Sequence, residues 1–445
     1  MTECPSTIAG LQQAIAQGHV TAGQAIERQR LGLLRADRDL HAVVDVLPAQ
    51  LMPPAATGAL AGVGLAHKDI FDLPGRAPGL GRGYFKNMDT EATGRPPATV
   101  LERLSRHGGA HLATLAMAEY ACGATGDNPH LARCINPLHA DAVVGGSSSG
   151  SAVAVACGMT YGSLGTDTAG SVRMPAVTCG VLGLKTTHGL LPLDGVFPLA
   201  PSLDSVGVLA RTADDVQLIL QAACDGSGLR AVTDASRSHA AVAWILYAQV
   251  DRAIATAMQA LAAAFEMPVQ NTLDSHPVLT QLAEIVLHAE AAQTHQAALL
   301  ARTLSPSVEA VALPGGVMPA DWLAAALADR ARRLHDFVQA NFQDHDILVM
   351  PALPVPIPDW QAVTPGQATF DVRRLLALHR FMGFINYLGL PALAVPVALD
   401  ARGLPISVQL VGRPFHELAL LRFAALIETQ HFRMQGAWHS FFSED

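Results

Sequence analysis

The amino-acid sequence predicts an α/β protein built on one large sheet with helices on both faces. Segments of helical periodicity alternate with short apolar runs along the whole chain, which favours one continuous sheet over separate domains. Half of the 445 residues are hydrophobic and only 15% are charged, a balance that suits strands covered on both sides and excludes a disordered chain. No internal repeat or low-complexity linker breaks the pattern. One structural unit over residues 1–445 is therefore expected.

The elements follow in order. "STIAGLQQAIAQGHVTAGQAIERQRLGLLRA" places apolar residues at helical spacing, with Ser6 and Thr21 as N-caps, and predicts two amphipathic helices that cover the N-terminal side. From Gly62 the texture changes to apolar strands with Gly/Pro punctuation, and "GVGLAHKDIFDLPG" reads as a strand running into a loop with Lys68 at its end. "PATVLERLSRHGGAHLATLAM" predicts helix, glycine stop and strand, while "GSAVAVACG" starts a small-residue helix or strand. Residues 213–224 and 251–265 read as helices, followed by two longer ones in "EIVLHAEAAQTHQAALLA" and "ADWLAAALADRARRLHDFVQANF". "DILVMPALPVP" is a buried strand ended by prolines; "GLPALAVPVAL" and "LPISVQLVG" pair around "DARG", and "HELALLRFAALIETQ" closes as a helix.

Several function classes drop out. The net charge is -9 and no basic stripe is present, so direct nucleic-acid binding, which needs clustered cations to replace counterions, is not expected. The N-terminus lacks a basic leader with an apolar core, and no apolar run reaches membrane-spanning length. Six cysteines are scattered without C-x-x-C pairs, which fits neither a zinc site nor a disulfide framework and leaves core positions in a reduced cytoplasm. No metal is expected.

Chemistry concentrates in "VVGGSSSGSAVAVACG" and "GTDTAGSVR". The first is neither G-x-x-x-x-G-K-[ST] nor G-x-G-x-x-G, so a phosphate cradle is not indicated. A nucleophilic hydroxyl needs a base and backbone donors for the developing oxyanion. The second segment supplies donors, because Thr168, Ala169 and Gly170 run into Ser171 with little side-chain bulk. G-x-S-x-G is absent, so a histidine base has no recognisable context. Lys68, the only lysine in the first 85 residues, ends an apolar strand where burial can lower its pKa from about 10.4.

"AHKDIFDLPG", "VVGGSSSGSAVAVACG", "LGTDTAGSVRMPAVTCGVLGLK" and "SLDSVGVLARTADD" together resemble the amidase signature family, and Ser147 precedes Ser171 by the 24 residues that the family's two catalytic serines require. The N-terminal helices and "NYLGLPALAVPVALDARGLPISVQLVGRPFHELALL" extend the resemblance over nearly the whole chain. It implies a large mixed sheet and a Ser-cisSer-Lys triad, with Ser171 as nucleophile, Lys68 as base and Ser147 as proton relay. On that reading the chain divides into a helical cover (1–60), a catalytic core (61–225), a variable helical region (226–345) and a C-terminal part of the core (346–445).

Around the triad, Thr168, Ala169, Gly170 and Ser171 are expected to offer oxyanion N–H groups, Ser148 and Thr166 to support the site, and Asp167 and Arg173 to form an ion pair that braces the loop. Asn386 is either a substrate contact or a turn residue, and Lys185 a decoy for the base. Most relatives carry two glycines before the nucleophile; Ala169 keeps the N–H but resists positive φ. Enzymes acting on allophanate tolerate the same alanine, although Val172 differs from their usual glycine. The implied function is a cofactor-independent amidohydrolase acting on a small-molecule amide. The alternatives are the glutaminase subunit of a tRNA-dependent amidotransferase, which need not bind tRNA itself, and a ureido-acid hydrolase. A homodimer is compatible with the sequence. A catalytically dead scaffold is disfavoured, since all three triad positions hold the required residue types.

Overall fold

The computed structural model describes residues 5–83, 95–226, 228–229, 240–243, 250–270, 273 and 275–434. Its strands are β1 (Val43–Val46), β2 (Gly64–Lys68), β3 (Ala110–Leu115), β4 (Gly162–Asp167), β5 (Leu182–Lys185), β6 (Ser205–Ala210), β7 (Ala240–Ala243), β8 (Val269–Gln270), β9 (Ile347–Pro351), β10 (Ala392–Leu399) and β11 (Pro405–Gly412). They form one 11-stranded sheet in the order β1-β3-β2-β4-β6-β5-β10-β11-β9-β7-β8. The sheet is mixed. β3, β2 and β4 run parallel, as do β9, β7 and β8, whereas the middle from β4 to β9 is antiparallel.

Period-two alternation assigns each strand residue to one of two apolar layers. Leu65, Val208 and Leu393 face the layer containing Ile8, Leu104, Ile219 and Leu420. Their neighbours Ala66, Leu209 and Ala394 face a second layer with Val153, Val172 and Val177. Helices therefore lie on both faces. In that second layer Ser149–Ala156 is buried at every position, and its one glycine, its alanines and its serines explain how it lies so close: a Cβ on Gly150 would sit 2.4 Å from Ala42 O. Helices His276–Thr294, Ala320–Asn341 and Gly383–Leu388 pack around a third cluster that includes Phe337, Phe381 and Phe384.

Most elements lie where the periodicity puts them, and the differences have local causes. Thr7 rather than Ser6 caps the first helix, Ile8–Ala16, by accepting the Gly10 N–H, while Thr21 and Gln24 form a reciprocal capping box at Ala22–Ala36. Pro396 lies inside β10 despite its missing N–H, and the register explains why: β5 pairs with Ala392–Ala394 alone, so by Pro396 one edge is free of partners and a bulge follows. β1, β4, β5, β6, β7 and β8 and the helices Arg173–Cys179, Pro306–Val317, Trp360–Val363, Val372–Ala377 and Gly383–Leu388 are additions to the elements expected from sequence. The five described cysteines are all buried free thiols, and Cys4 lies outside the described residues. Among the described residues no single helix is long and apolar enough to cross a membrane.

Candidate active site

Two parallel strand ends begin the site. β2 and β4 run side by side, which brings Lys68, the last residue of β2, alongside Thr166 near the end of β4. Lys68 is buried, with Nζ 2.7 Å from Ser147 Oγ and 2.8 Å from Thr166 Oγ1. Burial disfavours the ammonium and outweighs the attraction of Asp204, Asp167 and Cys122, lowering this lysine to about 7. The adjacent histidine offers no competing base. His67 Nδ1 accepts the Leu164 N–H at 3.1 Å, so its Nε2 donates to His111 Nδ1 at 2.8 Å, and His111 Nε2 faces Leu101 O at 3.1 Å. Burial pushes both imidazoles down, His111 to about 4, and both are neutral.

The serine segment enters from the helix Ser149–Ala156. The Gly146–Ser147 peptide bond is cis. A Cβ on Gly146 would lie 2.6 Å from Gly123 O, so only glycine admits this approach. Ser149 Oγ donates to Gly145 O at 2.8 Å and closes the turn, Ser148 Oγ reaches Thr166 O at 3.5 Å, and the Ser148 N–H donates to Ser171 O at 3.2 Å. The two serine segments are thereby tied together. Exposure separates their hydroxyls: Ser147 is 0% exposed, whereas Ser171 keeps 6%.

Asp167 organises the second segment. Its Oδ1 accepts the Gly170 N–H at 2.8 Å, and its Oδ2 those of Val172 and Arg173 at 3.2 and 3.3 Å. Arg173 adds a two-pronged contact, Nε to Oδ2 at 3.0 Å and Nη2 to Oδ1 at 2.9 Å, with both side chains fully buried. Burial alone would raise the Asp167 carboxyl, but the guanidinium outweighs it and holds the group well below the usual carboxylate range. The expected brace is thus an enclosed ion pair. Arg173 also donates to Gln409 Oε1 at 3.1 Å and Asn386 Oδ1 at 2.6 Å, and Asn386 Nδ2 donates to Asp167 O at 2.8 Å. Both ends of the Asn386 amide are engaged in this brace, which replaces the expectation of a substrate contact.

The backbone donors also differ from expectation. Because Asp167 takes the Gly170 N–H, that group is not available to an oxyanion; the N–H groups of Thr168, Ala169 and Ser171 find no acceptor among the described residues. Ala169 fits because the positive φ of the loop, +116°, falls on Gly170 instead. A Cβ on Gly170 would come within 2.3 Å of Met382 Sδ.

Sequence reasoning missed three partners. Asp204 accepts from Thr168 Oγ1 at 2.6 Å and from the N–H groups of Leu199 and Ala200, and burial raises it to about 6. It stands inside "SLDSVGV", where an acidic residue entering an apolar strand is a readable signal. Gln409, polar within the apolar β11, is another. His379, whose Nδ1 donates to Ala169 O at 3.0 Å, has none. Lys185 lies apart from the serines and donates to Thr186 O and Leu390 O, both at 2.8 Å. Among the described residues no group of three or more His, Cys, Asp or Glu side chains is arranged to hold a metal ion.

Comparison with known proteins agrees with this architecture. The Amidase family model matches residues 45–421. A glutamyl-tRNA(Gln) amidotransferase subunit of Anaeromyxobacter sp. (strain K) is 31% identical, with 83% of each chain covered. AtzE of Pseudomonas sp. (strain ADP), a 1-carboxybiuret hydrolase subunit, is 31% identical, with 88% of each covered. Among solved structures, a crystal structure of an amidase superposes with a TM-score of 0.83 at 25% identity, over 96% of this chain and 100% of that one. An inhibitor-bound complex from work on the origins of an s-triazine catabolic enzyme gives 0.84 at 26% identity, with the same coverage. With the family match spanning most of its length and the fold superposing over nearly all of it, the chain belongs to the amidase signature family of C–N hydrolases.

Proposed function

We propose that the chain is an amidohydrolase that cleaves a small carboxylic or ureido amide through an acyl-enzyme on Ser171. The observation that carries this reading is the contact between a water-excluded lysine and an enclosed serine, 2.7 Å between Lys68 Nζ and Ser147 Oγ, beside a second serine that keeps some exposure. A neutral Lys68 amine has a lone pair for the Ser147 proton, and Ser147 in turn takes the proton of Ser171 as Ser171 Oγ attacks the carbonyl carbon. Negative charge gathering on the carbonyl oxygen meets the unengaged N–H groups of the 168–171 loop. The proton then returns from Lys68 through Ser147 to the leaving nitrogen, and water cleaves the ester by the same route. Five buried free thiols support a reducing compartment, the cytoplasm.

Labelling with a fluorophosphonate and mapping the adduct by peptide mass tests the assignment: the adduct should lie on Ser171, be absent from Ser147 and disappear in Lys68→Ala. An adduct on Ser147, or none on an enzyme that releases ammonia, would sink it. A panel of primary amides, aryl amides, ureido acids and glutamine then ranks substrates. A second reading has specific support, since the two 31% identical relatives are both named as components of larger enzymes: the chain works as the hydrolytic subunit of a complex. Tagged protein isolated from its native cells should then carry a stoichiometric partner, and a lone chain with full glutaminase or ureido activity would refute that reading.

A further inference from the structure

We propose that His379 is a positioning residue for the oxyanion donors and acts through the backbone of Ala169; this rests on the reading of Ser171 as nucleophile. The His379 Nδ1 stands 3.0 Å from Ala169 O. A carbonyl oxygen only accepts, so the proton sits on Nδ1. Burial lowers the imidazole pKa, which keeps this neutral tautomer in place at neutral pH.

Ala169 O and the Gly170 N–H are two ends of one planar peptide group. His379 holds the oxygen end, and Asp167 Oδ1 holds the hydrogen end at 2.8 Å. That plane is therefore pinned on both sides. The N–H groups of Ala169 and Ser171 belong to the planes before and after it, joined to it at the Cα atoms of 169 and 170, and these are among the N–H groups left without an acceptor among the described residues. Rotating the pinned plane would turn its neighbours away from a common point. Gly170, at φ +116°, has no side chain to resist that rotation. Within the loop only Asp167 restrains it, and one stretch outside the loop supplies the rest: His379 on Ala169 O, Met382 packed against Gly170, and Asn386 on Asp167 O.

The test uses the full chain and two readouts, the second-order rate of Ser171 phosphonylation by a fluorophosphonate and the kcat and KM of the best amide in the panel. A phosphoryl oxygen occupies the oxyanion's place, so His379→Ala should slow labelling about ten- to hundredfold and lower kcat with KM unchanged. His379→Asn, whose amide N–H can reach the same carbonyl, should recover most of the rate. Should His379→Ala fail to fold by circular dichroism, His379→Phe, which keeps a ring without the donor, should show the same slowing. Labelling of the donor-less variant at the wild-type rate, a loss confined to KM, or an asparagine variant no better than alanine would each overturn the inference. A wild type that does not label at all overturns the nucleophile reading and this inference with it, whereas a labelled wild type with an unaffected His379→Ala overturns this inference alone.

Discussion

If Lys68 is the base, the pH dependence of kcat/KM reports its ionisation in the free enzyme. Burial brings it to about 7. Between about pH 6 and about pH 8 the neutral fraction then climbs from about a tenth to about nine-tenths, so kcat/KM should rise roughly tenfold and level off. A lysine near its ordinary value would instead give roughly a hundredfold rise over the same interval with no plateau. Asp204 and Asp167 oppose the effect of burial by favouring the ammonium. Asp204→Asn should therefore move the ascending limb to lower pH. The replacement is sterically modest, because the amide oxygen can accept the Leu199 and Ala200 N–H groups while its NH2 faces the Thr168 hydroxyl. Initial rates of ammonia release across a constant-ionic-strength buffer series measure both profiles. A profile that is flat, one that keeps rising beyond about pH 9, or an Asp204→Asn limb displaced upward would refute the placement of Lys68 as a water-excluded base.

Further outcomes follow from the brace and from the second buried lysine. Arg173→Met leaves the Asp167 carboxylate enclosed without its counter-ion and should cost about 3–5 kcal/mol in denaturant unfolding; Arg173→Lys should recover little, since an ammonium cannot reproduce the two-pronged contact. Lys185→Met removes the donor from two carbonyls, so it should destabilise the fold by about 1–3 kcal/mol, yet keep kcat/KM within about threefold of wild type. Lys185 is lowered to about 7, first by burial and then by Arg173. The unfolded chain therefore holds a proton that the native one releases above that value, and raising the pH from about 7 stabilises the wild type. Lys185→Met should show a shallower rise of stability with pH over about pH 7 to 8.5, measured by urea unfolding, and an unchanged slope would contradict the burial of this amine.

Periodicity carries the fold further than it carries the site. The helix at 213–224 matches its expected span, because a capping threonine and an apolar stripe both act within a few residues. β7 and β8 have no such local signature: four and two residues long, they are strands only because β9 lies beside β7 and β7 beside β8. The same distinction divides the site residues. Lys68, Ser147 and the 166–173 loop are legible in short segments, whereas the parts played by Asn386, His379 and Gln409 depend on contacts across 210 or more residues of sequence. Asn386 in particular reads as a turn or a substrate contact because nothing beside it in sequence reveals the buried carboxylate it holds. The N–H of Gly170 misleads for a related reason: its partner, Asp167, lies three residues back, but only the folded loop turns the carboxylate onto it.

The brace on the 166–173 loop also bears on the order in which the chain is synthesised. Arg173 is held by Asn386, 213 residues downstream, and by Gln409, 236 residues downstream. A ribosome must deliver almost the entire chain before the loop acquires these restraints. Truncated products that end before the helix Gly383–Leu388 carry Lys68, Ser147 and Ser171 but neither the amide of Asn386 nor that of Gln409. If Ser171 is the nucleophile, incomplete chains should show no turnover, and a cut in the exposed turn between β10 and β11 divides the protein into two pieces whose reunion should be read as the return of turnover.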